Sequence, residues 1–85
     1  MEQYTINILN SYPKDILELD ISNKNIVGLL DLYDFMALEK LICSHNQITY
    51  ILNIRKRLKY LDCSFNKISI LDPLNDNIEY FNYEF

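Results

Sequence analysis

The apolar residues of this chain recur at fixed spacings that define a repeating unit. Segments 38–48 and 58–68 both read L-x-x-L-x-C-S-x-N-x-I, so the pattern returns after 20 residues. Within each unit the final Leu-x-Cys alternates between two sides, which is the period of a β-strand. The pattern therefore predicts one short strand per unit, and stacking of the units would bury a continuous apolar core.

Two further segments fit the spacing with exceptions. Segment 16–26 has apolar residues at the matching positions, 22 residues before the second unit, but Lys24 occupies the Asn position. Either Asn23 or Asn25 is expected to supply the missing amide. The last residues keep the 20-residue register. The predicted repeats are 16–37, 38–57, 58–77 and a partial unit, 78–85.

The segments between the predicted strands carry apolar residues at every third position in two units. These triplets are Ile48, Ile51 and Ile54, and Ile68, Leu71 and Leu74. A spacing of three favours an extended or 3₁₀ segment over an α-helix. In the longer first unit, one or two helical or 3₁₀ turns are expected to pack inward through Leu29, Leu32, Phe35 and Met36.

Residues 1–15 do not fit the repeat. Tyr4, Ile6 and Ile8 alternate with polar residues, which predicts a short strand or an extended segment. A solenoid needs its first coil covered by a segment that is unlike the repeats. Residues 1–15 are therefore interpreted as an N-terminal cap.

The spacing, the Asn position and the closing Ile together resemble the leucine-rich repeat family over residues 16–85. The family pattern is L-x-x-L-x-L-x-x-N/C-x-L. The resemblance implies an α/β, right-handed solenoid with a parallel sheet of about four strands on its concave face and extended, 3₁₀ or short helical segments on its convex face. It also implies a protein-binding module without a cofactor. The Cys-Ser pair and the many Asn, Ile and Tyr residues are similar to short repeat proteins of amoebae and their giant DNA viruses.

Composition narrows the function classes. The formal net charge of −4 argues against a general nucleic-acid binder, because neutralising phosphates requires a basic surface. The 85 residues make one domain and include no apolar run long enough to cross a bilayer. No signal pattern follows Met1. The expected location is the cytoplasm, or the host cytoplasm if the protein is viral.

The outward strand positions are the candidate functional residues. They form three columns: Glu18, Lys40, Tyr60 and Tyr80; Asp20, Ile42, Asp62 and Asn82; and Asn23, His45, Phe65 and Phe85. Exposed aromatic residues favour protein interfaces, although they can also merely cover a sheet. Tyr60, Asp62 and Phe65 are not needed to explain the fold, and they are the first candidates for partner binding.

The predicted face is small. Four strands about 14 Å across, with about 12 Å of each strand, give a face on the order of 170 Å². A stable interface buries roughly 800 Å² per partner, so loops, a flank or self-association must add area. The strand edge of residues 78–85 is expected to be open, which invites pairing with another chain. The alternative function is therefore a homo-oligomeric structural protein, or homodimer, assembled through residues 78–85. The alternative to an open edge is that the large residues Phe81 and Tyr83 cover this end themselves.

The reactive side chains give weaker alternatives. His45 is the single histidine, and a hydrolase-like site with Asp62 is the enzymatic alternative. Cys43 and Cys63 are interpreted as buried thiols rather than as a disulfide or a metal site. Half of the eight basic residues, Arg55, Lys56, Arg57 and Lys59, are expected on one turn. This run is interpreted as a solvated loop, with contact to an acidic partner as the alternative and nucleic acid as a minor one.

Overall fold

The structure is a computed structural model and describes residues 1–84; Phe85 lies outside the described residues. The described elements are α1 (Gln3–Asn10), β1 (Glu18–Asp20), β2 (Val27–Asp31), β3 (Lys40–Ile42), β4 (Gln47–Leu52), β5 (Tyr60–Asp62), β6 (Ile70–Leu71) and β7 (Tyr80–Asn82).

Two parallel sheets form the body of the molecule. The front sheet has the strand order β1-β3-β5-β7, and the back sheet has the order β2-β4-β6. Consecutive strands alternate between the two sheets, so each coil returns to lie beside the strand of the coil before it. The result is a β-solenoid of about three turns. The predicted α/β solenoid with a four-stranded parallel sheet is thus confirmed.

The inward residues of the front sheet stack in register. Leu19 pairs with Leu41, and Leu41 pairs with Leu61. All three side chains are buried, and so are Cys43 and Cys63 one alternation further along. These three leucines occupy the same position in successive coils and form one row. The row is shielded from water because neighbouring coils pack against each other.

The segments between the front strands form the back sheet, so most of their central residues are extended. In the second unit, β4 confirms the predicted extended segment, with Ile48 and Ile51 buried; in the third unit only Ile70–Leu71 is a strand. The turns expected in the first unit are wrong over Val27–Asp31, which is strand β2. Met36 does not pack inward, since 68% of its surface is exposed.

The N-terminal segment is helical, so the predicted strand or extended segment is wrong. Thr5 and Leu9, one helical turn apart, are the buried residues of α1. Leu9 belongs to the apolar core, and Ile8 and Tyr12 pack against it. The alternation of Tyr4, Ile6 and Ile8 misled the prediction, because the buried helical face lies on other residues, spaced four apart.

Asparagine side chains join successive coils. The Asn46 Oδ1 accepts hydrogen bonds from the backbone N–H groups of Lys24 and Ile26, each at 3.0 Å. Its Nδ2 donates to the carbonyl of Ile21 at 3.0 Å and to that of Cys43 at 3.0 Å. The amide of the second unit therefore serves the first coil. Within residues 1–84 the side chains of Asn23 and Asn25 form no hydrogen bond, so the expectation that one of them would supply the amide missing from the first unit is wrong.

Candidate functional site

The outward residues of the front sheet lie in the columns that the repeat predicts. Strand pairing aligns Glu18, Lys40, Tyr60 and Tyr80, and it aligns Asp20, Ile42, Asp62 and Asn82. Asn23, His45 and Phe65 follow β1, β3 and β5 at equivalent positions, whereas Phe85 lies outside the described residues. The solenoid therefore gathers side chains that are about 20 residues apart in sequence onto one face.

The first column ends in a stack of two aromatic rings. The rings of Tyr60 and Tyr80 lie 4.2 Å apart between centroids with an interplanar angle of 9°. The Lys40 Nζ lies 4.6 Å from the Tyr60 ring centroid, a cation–π geometry. Burial raises the pKa of Tyr60, and the neighbouring Tyr80 adds to the effect. Glu18 is exposed at the other end of the column.

The third column contains a second stack, at the ends of the strands. The rings of His45 and Phe65 lie 4.6 Å apart at 14°. Both residues have left-handed backbone, with φ of 56° and 54°, as does Asn23 at the equivalent position, with φ of 53°. This conformation suits Asn but is costly for a bulky residue. The turn geometry thus favours a small polar residue where the chain carries a phenylalanine that is 45% exposed.

The two aspartates of the middle column close the turns that follow their strands. The Asp62 Oδ1 accepts hydrogen bonds from the Ser64 N–H at 3.1 Å and from the Ser64 hydroxyl at 2.6 Å. Asp20 holds Ser22 in the same way, and these bonds lower the pKa of Asp20. The sequence suggested that Asp62 is not needed for the fold. The structure shows that Asp62 closes the turn that follows β5.

The other two residues of this column complete the face. Ile42 is half-buried between the two aspartate positions, and it is the single aliphatic residue of the column. The Asn82 Oδ1 accepts a hydrogen bond from the Glu84 N–H at 3.2 Å, which repeats the turn closure made by the aspartates. Only Ile42 is without a turn-closing bond in this column.

The reactive side chains of this region are stacked, hydrogen-bonded or buried. The His45 ring is stacked on Phe65, while the Asp62 carboxylate is bonded to Ser64. Cys43 and Cys63 are free thiols, and both are buried. Burial raises the pKa of Cys43 well above its usual range and raises that of Cys63 to about 11, so neither is a ready thiolate. Among residues 1–84, no three His, Cys, Asp or Glu side chains are grouped for a metal ion.

The last coil presents an apolar cavity beside the sheet. The cavity has a volume of about 250 Å³ and is lined in part by Ile68, Leu71, Phe81 and Tyr83. The rings of Phe81 and Tyr83 are stacked, 4.9 Å apart at 21°. Within residues 1–84, β7 pairs with β5 on one side and with no strand on the other.

Sequence reasoning missed two exposed side chains away from this face. Tyr33 and Met36 are 65% and 68% exposed, and Met36 lines a groove together with the basic run 55–57. The basic run could be identified in the sequence, but its proximity to Tyr33 and Met36 could not. They come from the preceding coil, some 20 residues earlier.

Comparison with known proteins found no matching family model, no similar curated protein and no similar solved structure. None of the helices in the described part of the chain combines the length and the apolar character needed to cross a bilayer.

Proposed function

We propose that this chain is a leucine-rich-repeat protein that binds a protein partner through the outward face of its front sheet. The observation that carries the proposal is the pair of stacked columns, Tyr60 on Tyr80 and His45 on Phe65. Stacked rings offer large, rigid contact area and lose little conformational entropy on binding. Aromatic residues are also enriched where protein interfaces are most strongly desolvated.

The repeat assignment rests on the motif and on the contacts that the motif residues make. The second and third units share their leucines, cysteine, serine and asparagine, and the asparagines bond to neighbouring coils. The proposal includes a right-handed coil, because crossover connections between parallel strands strongly favour that hand. In such a solenoid the front sheet is the concave face.

The proposed role is binding without catalysis. Acid–base chemistry needs a histidine within hydrogen-bond reach of its partners. The His45 ring instead stacks on Phe65, and Asp62, its partner in the enzymatic alternative, closes a turn. The buried cysteines, with their raised pKa values, do not favour a nucleophile either.

The binding face is tested by replacing its rings. We expect Tyr60→Ala and Phe65→Asn each to abolish capture of the partner from a lysate of the native source, while immobilised wild-type protein retains it. Phe65→Asn should leave the free energy of unfolding within about 1 kcal/mol of wild type, because relief of the left-handed backbone offsets the lost stack.

The matched control is Val27→Ala, which shortens an exposed apolar residue on the back sheet. Capture should survive this change. If Val27→Ala abolishes capture as well, the front face is not the binding site. If Phe65→Asn costs several kcal/mol, the ring belongs to the core and its assignment to the face is wrong.

A second candidate function is self-assembly through the last coil. The observation that favours it is the apolar cavity beside the one-sided strand β7. A strand edge offers backbone groups to a second chain, and the cavity offers apolar contact. Such an assembly would add the area that the small front face lacks.

A further inference from the structure

Two successive coils form a groove at the turns that lead into the front sheet. The groove has a volume of about 600 Å³ and is lined by Met36 and Ala37 from one turn and by residues 53–57 from the next. The turns are equivalent: the Leu38 N–H donates to the Phe35 carbonyl and the Leu58 N–H donates to the Arg55 carbonyl. Its volume lies within the range of ligand-binding clefts.

The turn that carries the basic residues is held in place by neighbouring coils. Asn75 Nδ2 donates to the Arg55 carbonyl at 2.7 Å, and Asn77 Nδ2 donates to the Lys56 carbonyl at 2.9 Å. The Asn53 N–H donates to the Asp72 carboxylate at 2.9 Å. Two carbonyls and one N–H of this turn are therefore bonded to the following coil, which holds the turn in place before a ligand binds.

The basic side chains themselves form no ion pair within residues 1–84. The Arg55 guanidinium lies 5.8 Å from the ring centroid of the exposed Tyr33, and Met36 adds an exposed apolar side chain. Arginine, tyrosine and methionine are enriched in the cores of protein interfaces. The groove thus combines unpaired positive charge with apolar contact area.

The negative charge of the rest of the chain favours a short anionic ligand over a long one. Without Arg55, Lys56 and Arg57, the chain has five Lys and Arg residues and twelve Asp and Glu residues, which gives a formal charge of −7. A long polyanion such as a nucleic acid would be repelled by that surface. A short acidic segment would reach the groove without covering the remainder.

We propose that this groove binds a carboxylate-rich peptide segment of a partner protein, with an apolar side chain of the peptide against Met36 and Ile54 and its carboxylates on Arg55 and Arg57. This site is separate from the front face and does not depend on it. Arginine suits the role because its planar fork binds a carboxylate through two hydrogen bonds.

The test uses a fluorescein-labelled dodecapeptide of repeated Asp-Leu-Glu triplets, and fluorescence anisotropy at low salt. The acidic peptide should bind, whereas the same peptide with Asn and Gln in place of Asp and Glu should not. Arg55→Gln/Arg57→Gln should weaken binding about tenfold or more. The matched control, Lys24→Gln/Lys67→Gln, removes two exposed cations elsewhere and should change the affinity less than about twofold.

Three results would overturn the proposal: equal weakening by the control pair, equal binding of the neutral peptide, or tighter binding of a single-stranded oligonucleotide of the same charge. A second measurement does not depend on the variants. Adding the acidic peptide to ¹⁵N-labelled wild-type protein should shift the amide signals of 36–37 and 53–57. Shifts confined to the front face, at 42–45 and 60–65, would reject the groove and leave the proposed face intact.

Discussion

The side-chain amide of Asn46 explains why the first unit departs from the motif. Its Oδ1 and Nδ2 complete the backbone bonds of the preceding coil, at Lys24, Ile26 and Ile21. An Asn at position 24 would serve a coil before the first, but helix α1 covers that side instead. Lys24, whose side chain is exposed, is therefore compatible with the fold.

Two substitutions test the role of the Asn46 amide. Asn46→Ala should lower the free energy of unfolding by about 3 kcal/mol, because it leaves several buried backbone groups without partners. Lys24→Asn restores the motif, but it should change the stability by less than about 0.5 kcal/mol. Urea denaturation followed by circular dichroism measures both. A stabilising Lys24→Asn would mean that bonds within one coil, such as those of Asn46 to the Cys43 and Ser44 carbonyls, are enough to stabilise the first unit.

Individual residues were predictable where one repeat could be compared with another. Leu41, Leu61, Cys43 and Cys63 are buried as their alternation predicted. The role of Asp62 was not predictable, because its bond to Ser64 depends on the turn that follows β5. A local carboxylate–serine contact two residues apart leaves no periodic signal in the sequence.

Among the elements, the strands of the front sheet were predictable and the helix was not. Each front strand carries a strict inward–outward alternation that a neighbouring coil repeats. Helix α1 has no second copy for comparison, and Tyr4, Ile6 and Ile8 imitate a strand. Strand β2 was missed because Leu29 and Leu32 also fit a helical spacing. Short apolar segments are ambiguous without a neighbour to pair with.

The edge strands of the last coil lead to a prediction about assembly. If the last coil self-associates, sedimentation at tens of micromolar should give a mass that rises with concentration towards that of a dimer. Ile70→Lys should then restore the monomer, since Ile70 is 54% exposed on β6, at the edge of the back sheet, and a lysine there would repel its copy.

The control for this experiment is Val27→Lys, which adds the same charge at an exposed position on β2, at the opposite edge of the back sheet. It should leave the concentration dependence unchanged. A wild-type mass that stays monomeric over the whole range would exclude self-assembly of this chain, without bearing on the front face or the basic groove.

At the scale of the whole molecule, the buried thiols predict how stability depends on pH. The pKa of Cys63 is about 11 in the folded protein, against an ordinary value of 9.0, and burial also raises that of Cys43. Above about pH 9 the unfolded chain releases thiol protons that the folded chain retains. Unfolding therefore becomes more favourable by about 1.4 kcal/mol per pH unit for each thiol.

Urea denaturation should accordingly give a constant free energy of unfolding between about pH 7 and 8 and a decline from about pH 9 towards 11. A variant with both cysteines replaced by alanine should decline less steeply between about pH 9 and 10, below the range where the tyrosines titrate. Equal slopes for the two proteins would contradict the assignment. A thiol reagent should modify the wild-type protein only when urea is added.

The solenoid as a whole was predictable because its repeat length and apolar positions recur together in one short chain. The basic groove was not, because it joins Met36 to Arg55 across two coils and depends on how their turns stack. Repetition reveals which residues are equivalent. It does not reveal which unlike residues of adjacent coils come into contact.

The asparagine hydrogen bonds between coils also determine how deamidation would affect this protein. The Nδ2 atoms of Asn46 and Asn66 each face three backbone carbonyl oxygens, at 2.9 to 3.2 Å. Spontaneous deamidation to aspartate would put a negative oxygen against those carbonyls in a buried site. Chemical damage at either residue would weaken the contact between two coils, whereas the same damage at the exposed Asn7 would leave that contact unchanged. Deamidation of Asn46 or Asn66 would therefore destabilise the fold more than deamidation of an exposed asparagine.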